Sequence, residues 1–254
     1  MTSTVAPARR AQSERLPWLL AGATVLLQIA YPLVHGHGRD VLTVVTVIAF
    51  FLASTSHALL HRGPVWTAAF IGITAGTGLV AEAVGTATGV PFGSYDYADS
   101  LGIELLGVPL VVPLAWTMFA YPSLLVGQRL ARSRLPAALL GGVALASWDL
   151  FLDPQMVAAG HWRWHDVELA LPGVPGIPVS NFLGWLLVAV LMVGALQLLP
   201  RRTGDDRQPA ALFGWTYASS VLANAVFFGR PAVALIGGVG MGLVAVPYLR
   251  ALRA

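Results

Sequence analysis

The sequence predicts an all-α integral membrane protein: a polytopic bundle of about eight transmembrane helices, or seven if the last two spans merge, with both termini cytoplasmic. Three observations carry this. Only 11% of the residues are charged, against about 25% in a soluble globular domain. Apolar runs recur along the whole chain, each near the roughly 20 residues that a membrane span needs. All fifteen basic residues are arginines, and they gather in alternate connections between those runs.

The elements follow in order. Residues 1–16 are polar and hold Arg9, Arg10 and Arg15. No A-x-A-like cleavage site follows the apolar run at 17–34, so 1–16 reads as a cytoplasmic tail before an uncleaved first span. Further spans fall at 41–60, 65–87, 105–127, 135–153, 178–199, 211–229 and 231–249, so that 17–249 forms one transmembrane domain with a short tail at 250–254. Pro17, Pro64, Pro136, Pro178 and Pro231 stand at or just inside span starts, where a missing N–H does no harm. Gly107-Val-Pro109 and Gly176-Ile-Pro178 open spans four and six as turn chemistry. The run Gly237-Gly-Val-Gly-Met-Gly242 lies mid-span and reads as close helix packing. With the N-terminus inside, twelve arginines fall on the inner side and three (Arg39, Arg163, Arg230) on the outer, as the positive-inside rule requires.

Composition excludes several functions. The absence of cysteine removes disulfides, thiol catalysis and thiolate metal sites. The absence of lysine removes a retinal Schiff base and so a rhodopsin. A pI near 9.7 does not indicate nucleic acid, because the arginines are scattered over membrane-flanking loops. No phosphate-binding loop, dinucleotide fingerprint or H-E-x-x-H is present, and no metal or cofactor is expected. His57 and His61, four apart at the inner end of span two, read as snorkelling interface residues.

Chemistry concentrates on one side. Spans three and five run outward, which places Glu82, Asp149 and Asp153 toward the outer leaflet beside two long loops, 88–104 and 154–177. A carboxylate inside an apolar span costs about 2.5–3.5 kcal/mol on insertion scales and is a functional-site hypothesis by default. Asp149 and Asp153 are four apart and share a helix face. Pro154 marks the end of that helix, placing both acids in a last turn, where the macrodipole disfavours anions. At least one of the pair is expected to keep its proton and serve as a Brønsted acid for an apolar substrate. The alternative is a helix-end pair capping loop backbone. Glu82, in Gly78-Leu-Val-Ala-Glu-Ala-Val-Gly85, serves either chemistry, a proton relay or a hydrogen bond tying two helices. Trp116, Trp148, Trp162, Trp164 and Trp185 line a polyene pocket and stabilise a cation through their ring faces, or belong to an interfacial belt. Asn181 positions a water or joins helices.

Together, Glu82-Ala-Val-Gly85, Gly89-Val-Pro-Phe-Gly-Ser-Tyr-Asp-Tyr97, Gly107-Val-Pro109 with Trp116, Trp148-Asp-Leu-Phe-Leu-Asp-Pro154, Trp162-Arg-Trp164 and Gly176-Ile-Pro-Val-Ser-Asn-Phe-Leu-Gly-Trp185 resemble the membrane carotenoid biosynthesis family that includes bisanhydrobacterioruberin hydratase and γ-carotene 1′-hydratase. The resemblance covers about 80–185. It departs at Pro175, where an aromatic residue is expected. It implies cofactor-free addition of water to the terminal C1=C2 bond of an acyclic ψ-end carotenoid, giving a tertiary alcohol. Asp149 or Asp153 would deliver the proton. The partner carboxylate or Glu82 would stabilise the cation and later take up a proton, and Tyr95, Asp96 and Asn181 would position the water. The expected partners are a membrane-dissolved carotenoid, water, the bilayer and other carotenoid biosynthetic enzymes, in the cell membrane. A proton-coupled transporter with the three acids as relay, and a non-catalytic carotenoid-binding scaffold, are the competing readings.

Overall fold

The computed structural model describes residues 5–253. Residues 1–4 of the expected N-terminal tail, and Ala254, lie outside them. Eight long helices make up the bundle among the described residues: α1 (Val5–Ala30), α2 (His37–Arg62), α3 (Pro64–Thr88), α4 (Val111–Leu130), α5 (Arg134–Ala159), α6 (Val179–Leu196), α7 (Arg207–Leu222, continued by a π-helical turn over Ala223–Phe227) and α8 (Pro231–Ala251). Six short strands lie between α3 and α4 and between α5 and α6: β1 (Tyr95–Tyr97), β2 (Glu104–Leu105), β3 (Val108–Pro109), β4 (Trp162–Trp164), β5 (Ala170–Leu171) and β6 (Val174–Pro178).

Seven of the eight helices are long and apolar enough to cross a membrane by length and composition. The remaining one, α4, is the helix most enclosed by the others, with fourteen of its twenty residues buried. A helix walled by protein need not be uniformly apolar, because its polar groups find partners on neighbouring helices. Thus Thr117 of α4 accepts a 2.9 Å hydrogen bond from Thr74 of α3, and the Met118 carbonyl accepts one of 2.8 Å from Ser54 of α2.

Helix α1 already begins at Val5, inside the stretch expected as a tail, and three expected boundaries beside the outer loops move. Span four begins at Val111, not 105, because 104–109 is occupied by the β2–β3 hairpin. Its turn residues Leu106 and Gly107 both have positive φ, 56° and 76°, the geometry of a two-residue hairpin loop. Gly176-Ile-Pro178 likewise belongs to β6, paired with β5, and α6 starts after it. Helix α5 does not stop at Asp153: it runs through Pro154 to Ala159 and ends on Gly160 in the left-handed region, φ 78°. A proline costs a helix one hydrogen bond. At membrane depth, opening the chain into a loop would strand several unpaired backbone groups, each costing more. Asp149 and Asp153 therefore sit ten and six residues before the helix end, where the macrodipole argument does not apply.

Hydrogen bonds define the two ends of the bundle. At one end Arg62 donates to the Arg202 carbonyl and pairs with Asp206, while Trp66 donates to the Pro200 carbonyl (3.2 Å). At that end too, Arg129 donates to the Ala251 carbonyl, Arg201 to the Arg132 carbonyl (2.8 Å) and Gln208 to the Pro17 carbonyl (3.3 Å). This gathers the start of the first membrane-spanning stretch and the C-terminal end of α8 on the arginine-rich face. His57 lies there too, buried and not snorkelling as expected. One ring nitrogen meets the Tyr121 hydroxyl at 2.9 Å and the other the Asp205 carbonyl at 2.8 Å. The ring also stacks on His61 at 4.2 Å, and the hydrogen bonds to both nitrogens offset the cost of burying it. The glycine run of α8 packs closely as predicted: a Cβ at Gly237 would strike the Phe151 ring of α5.

At the other end, His161 clamps the loops. Its ring meets Ser100 at 2.8 Å and Thr43 at 3.4 Å, and its carbonyl accepts from the Ala98 N–H at 2.9 Å. Burial lowers the His161 pKa from its ordinary 6.5. The folded state thus binds this proton less readily than the unfolded one, so the clamp contributes fully above about pH 6.5 and weakens as pH falls below it. Amide hydrogen exchange over residues 95–101 is expected to speed up between pH 7.5 and 5.5 beyond its intrinsic pH dependence. His161→Asn, which does not titrate, should remove that excess; an excess that persists in the variant assigns it elsewhere.

Candidate active site

Three carboxylates converge on one cavity of about 170 Å³ in the half of the bundle away from the arginine-rich face. Glu82 comes from α3, one turn before Gly85. Gly85 leaves the space that Phe92 and the Tyr95 hydroxyl fill, each 2.8 Å from where a Cβ would stand. Oε1 of Glu82 accepts from Trp116 Nε1 of α4 at 3.0 Å, and Oε2 accepts from the Tyr95 and Tyr97 hydroxyls at 2.6 and 2.8 Å. The carboxylate therefore does tie helices together, and it also faces the cavity.

Asp149 and Asp153 stand one turn apart on α5, 2% and 1% exposed. A single side-chain nitrogen, Asn181 Nδ2 of α6, lies 2.7 Å from Oδ2 of each and donates to both. Asp153 also accepts from Trp162 Nε1 at 2.7 Å and Trp164 Nε1 at 2.9 Å. The two acids are thus unequal. Asp153 is ringed by three donors, which suits an ionised carboxylate that can only accept. Asp149 accepts one bond, and its Oδ1 is buried without a hydrogen-bond partner. That oxygen is the natural seat of a proton.

Four of the donors, Tyr95, Tyr97, Trp162 and Trp164, come from a two-stranded ribbon. β1 pairs antiparallel with β4 in the register Tyr95↔Trp164, Asp96↔Arg163, Tyr97↔Trp162. Alternation on a strand puts residues 95, 97, 162 and 164 on one face and 96 and 163 on the other. The inward rings pack on one another, Tyr95 to Trp164 at 4.8 Å and Tyr97 to Trp162 at 5.8 Å. The tyrosines reach Glu82 and the tryptophans reach Asp153. Burial first, then the Glu82 carboxylate, push both phenols well above their ordinary pKa, so they remain donors.

Of the sequence-predicted site residues, Glu82, Tyr95, Trp116, Trp148, Asp149, Asp153, Trp162, Trp164, Asn181 and Trp185 all line the cavity. Asp96 does not. It is 59% exposed on the outward face of β1 and pairs with His165, so strand alternation removes it from any water-positioning role. The departure at Pro175 falls on the exposed face of β6, outside the cavity lining. The aromatic wall is continuous: Trp116 stacks on Trp185 at 3.8 Å and 15°, and Trp148 meets Trp185 edge-on at 6.2 Å. Sequence reasoning missed Gln28, Thr43, Thr46, Gln155, Thr216 and Ser220, which also line it. Single polar residues in apolar spans carry little signal. Only Thr216, Ser219 and Ser220, at three- and four-residue spacing on α7, form a stripe that was there to find.

Fold and cavity together define a polytopic helical membrane protein with an acid- and tryptophan-lined interior site. A family model described as "Carotenoid biosynthesis protein" matches residues 40–247, and the chain belongs to that family. It is also similar to bisanhydrobacterioruberin hydratase of Haloarcula japonica, 38% identical over 121 residues, which cover 44% of this chain and 39% of the relative. The matched part thus spans well under two thirds of that relative's length. No solved structure matches the chain significantly.

Proposed function

We propose that this protein is a carotenoid hydratase of the cell membrane, adding water to the terminal C1=C2 bond of an acyclic ψ-end carotenoid without a cofactor. The observation that carries this reading is the bare, buried Oδ1 of Asp149 beside a donor-saturated Asp153, inside an aromatic cavity. An alkene offers no lone pair to bind, so its hydration begins with transfer of a proton to carbon. A carboxylic acid held dry in an apolar site supplies one.

Asp149 gives its proton to C2, and positive charge develops at C1, the tertiary carbon. The Asp153 and Glu82 carboxylates and the faces of Trp116, Trp148 and Trp185 stabilise that charge, a ring face contributing about 2 kcal/mol when desolvated. Water adds at C1 and its surplus proton passes to the carboxylate side, restoring Asp149 and leaving a tertiary alcohol. The relative's name, a hydratase, supports the same chemistry. The polyene beyond the reacting end extends between helices or into lipid, where the bilayer also presents product to other carotenoid biosynthetic enzymes.

Expression in cells that accumulate lycopene tests this. Mass analysis should find carotenoids heavier by one water per reacted end. An unchanged carotenoid profile across several ψ-ended substrates, with the protein inserted in the membrane, would count against it.

A further inference from the structure

Nine threonines in the helices turn their hydroxyls back onto the carbonyl four residues earlier, the ordinary resting place for a hydroxyl in an apolar helix. Thr216 of α7 does not. It is 3% exposed, its Oγ1 is buried without a hydrogen-bond partner, and it lines the cavity. Ser219 and Ser220, on the same face, line it as well, and so does Gln28 of α1. The Gln28 Oε1 accepts from Trp215 Nε1 at 2.7 Å, which fixes the amide and turns its nitrogen toward other acceptors. The acid-bearing side differs: there the indole, phenol and amide donors are already spent on Glu82, Asp149 and Asp153. Behind the cavity lining a chain of rings links Trp148 to α7, Trp148 on Phe119 at 4.9 Å and Phe119 on Phe213 at 5.7 Å.

We infer that Thr216, with Ser219, Ser220 and Gln28, holds the water that hydration consumes. This rests on the hydratase reading and extends it. A water in a protein interior needs two to four polar partners; the α7 hydroxyls and the Gln28 amide supply donors and acceptors, whereas Thr43 and Thr46 have already turned their hydroxyls onto helix carbonyls. The arrangement also solves a chemical problem. Water hydrogen-bonded to Asp149 before the alkene arrives would solvate the acid and level its strength, whereas water held by the α7 hydroxyls and Gln28 is bound by other groups. The balance is simple: C2 gains the Asp149 proton, C1 gains the water oxygen, and one water proton returns to the carboxylate. When water is not in place, the cation loses a proton from carbon to the carboxylate and reverts to alkene.

That partition is measurable. The full-length protein in lipid vesicles is given a ψ-end carotenoid in D₂O, and hydration is compared with deuterium appearing in recovered substrate. Thr216→Val, which keeps shape and loses the hydroxyl, should lower the kcat of hydration about tenfold with KM unchanged, and raise the exchange-to-hydration ratio by a similar factor. Thr216→Ser should restore both. Ser220→Ala is read in parallel and should shift the ratio in the same direction, so the outcome does not depend on the folding of one variant. An unaltered ratio in both variants, with a wild-type protein that hydrates, overturns the α7 water site alone. A wild-type protein that neither hydrates nor exchanges overturns the hydratase reading with it.

Discussion

Asp149→Asn is expected to reduce hydration by about a thousandfold, within the 10²–10⁴ that general acid catalysis contributes. The exchange keeps volume and leaves an oxygen to accept from Asn181, so the 2.7 Å contact between α5 and α6 survives and the protein should insert normally. What is lost is the acidic proton. Asp153→Asn should cost less, about ten- to a hundredfold. An amide there must turn one N–H toward Trp162, Trp164 or Asn181, all donors, and it brings no negative charge to the forming cation. The ranking separates this mechanism from one in which the pair is equivalent. Single-turnover conversion of a ψ-end carotenoid in vesicles measures it. Undiminished product from both variants, or a larger loss at Asp153 than at Asp149, would remove Asp149 as the donor.

Gly127→Val is expected to abolish accumulation of folded protein. Gly127 lies where α4 crosses α5. A Cβ built there would collide with the Ala137 carbonyl and reach 2.9 Å from the Gly141 N–H. Both are backbone groups of a helix, so they cannot swing aside as a side chain can. Separating the two helices would in turn unseat Trp116 and Asp149, which these helices carry. Overpacking a well-filled core costs about 1–3 kcal/mol when side chains absorb it, and more where they cannot. Gly72→Ala on α3 is the matched control: nothing lies within 4 Å of its Cβ position, and alanine favours the helix by about 1 kcal/mol. Size-exclusion profiles in mild detergent should show a monodisperse control and aggregated or absent Gly127→Val. A monodisperse, active Gly127→Val would mean that the α4–α5 crossing is looser than described.

Eight helices, an even number of crossings, bring both ends of the bundle to one side, and the arginines gather there. Arg62, Arg129, Arg201 and Arg202 lie together there, on the side that the positive-inside rule expects to face the cytoplasm. The acids and the ribbon occupy the opposite half.

Composition and spacing alone determined that the chain is a helical membrane bundle and drew Glu82, Asp149, Asp153 and the tryptophans toward one end of it, where the structure lines one cavity with them. The reason is that the bilayer penalises every charge and every unpaired backbone group at once, so an acid kept inside a span shows in one dimension. Tertiary structure decided the rest. α4 reads as marginally apolar because its solvent is other helices. Asp153 is mid-helix because an intact helix through Pro154 satisfies more backbone than a loop would. Asp96 faces away because β1 pairs with β4 in one register and not the next. Above all, the inequality of the two aspartates arises from Trp162, Trp164 and Asn181, which lie 9 to 32 residues distant in sequence. Which oxygen is left without a donor is a property of their convergence, and no local pattern encodes it.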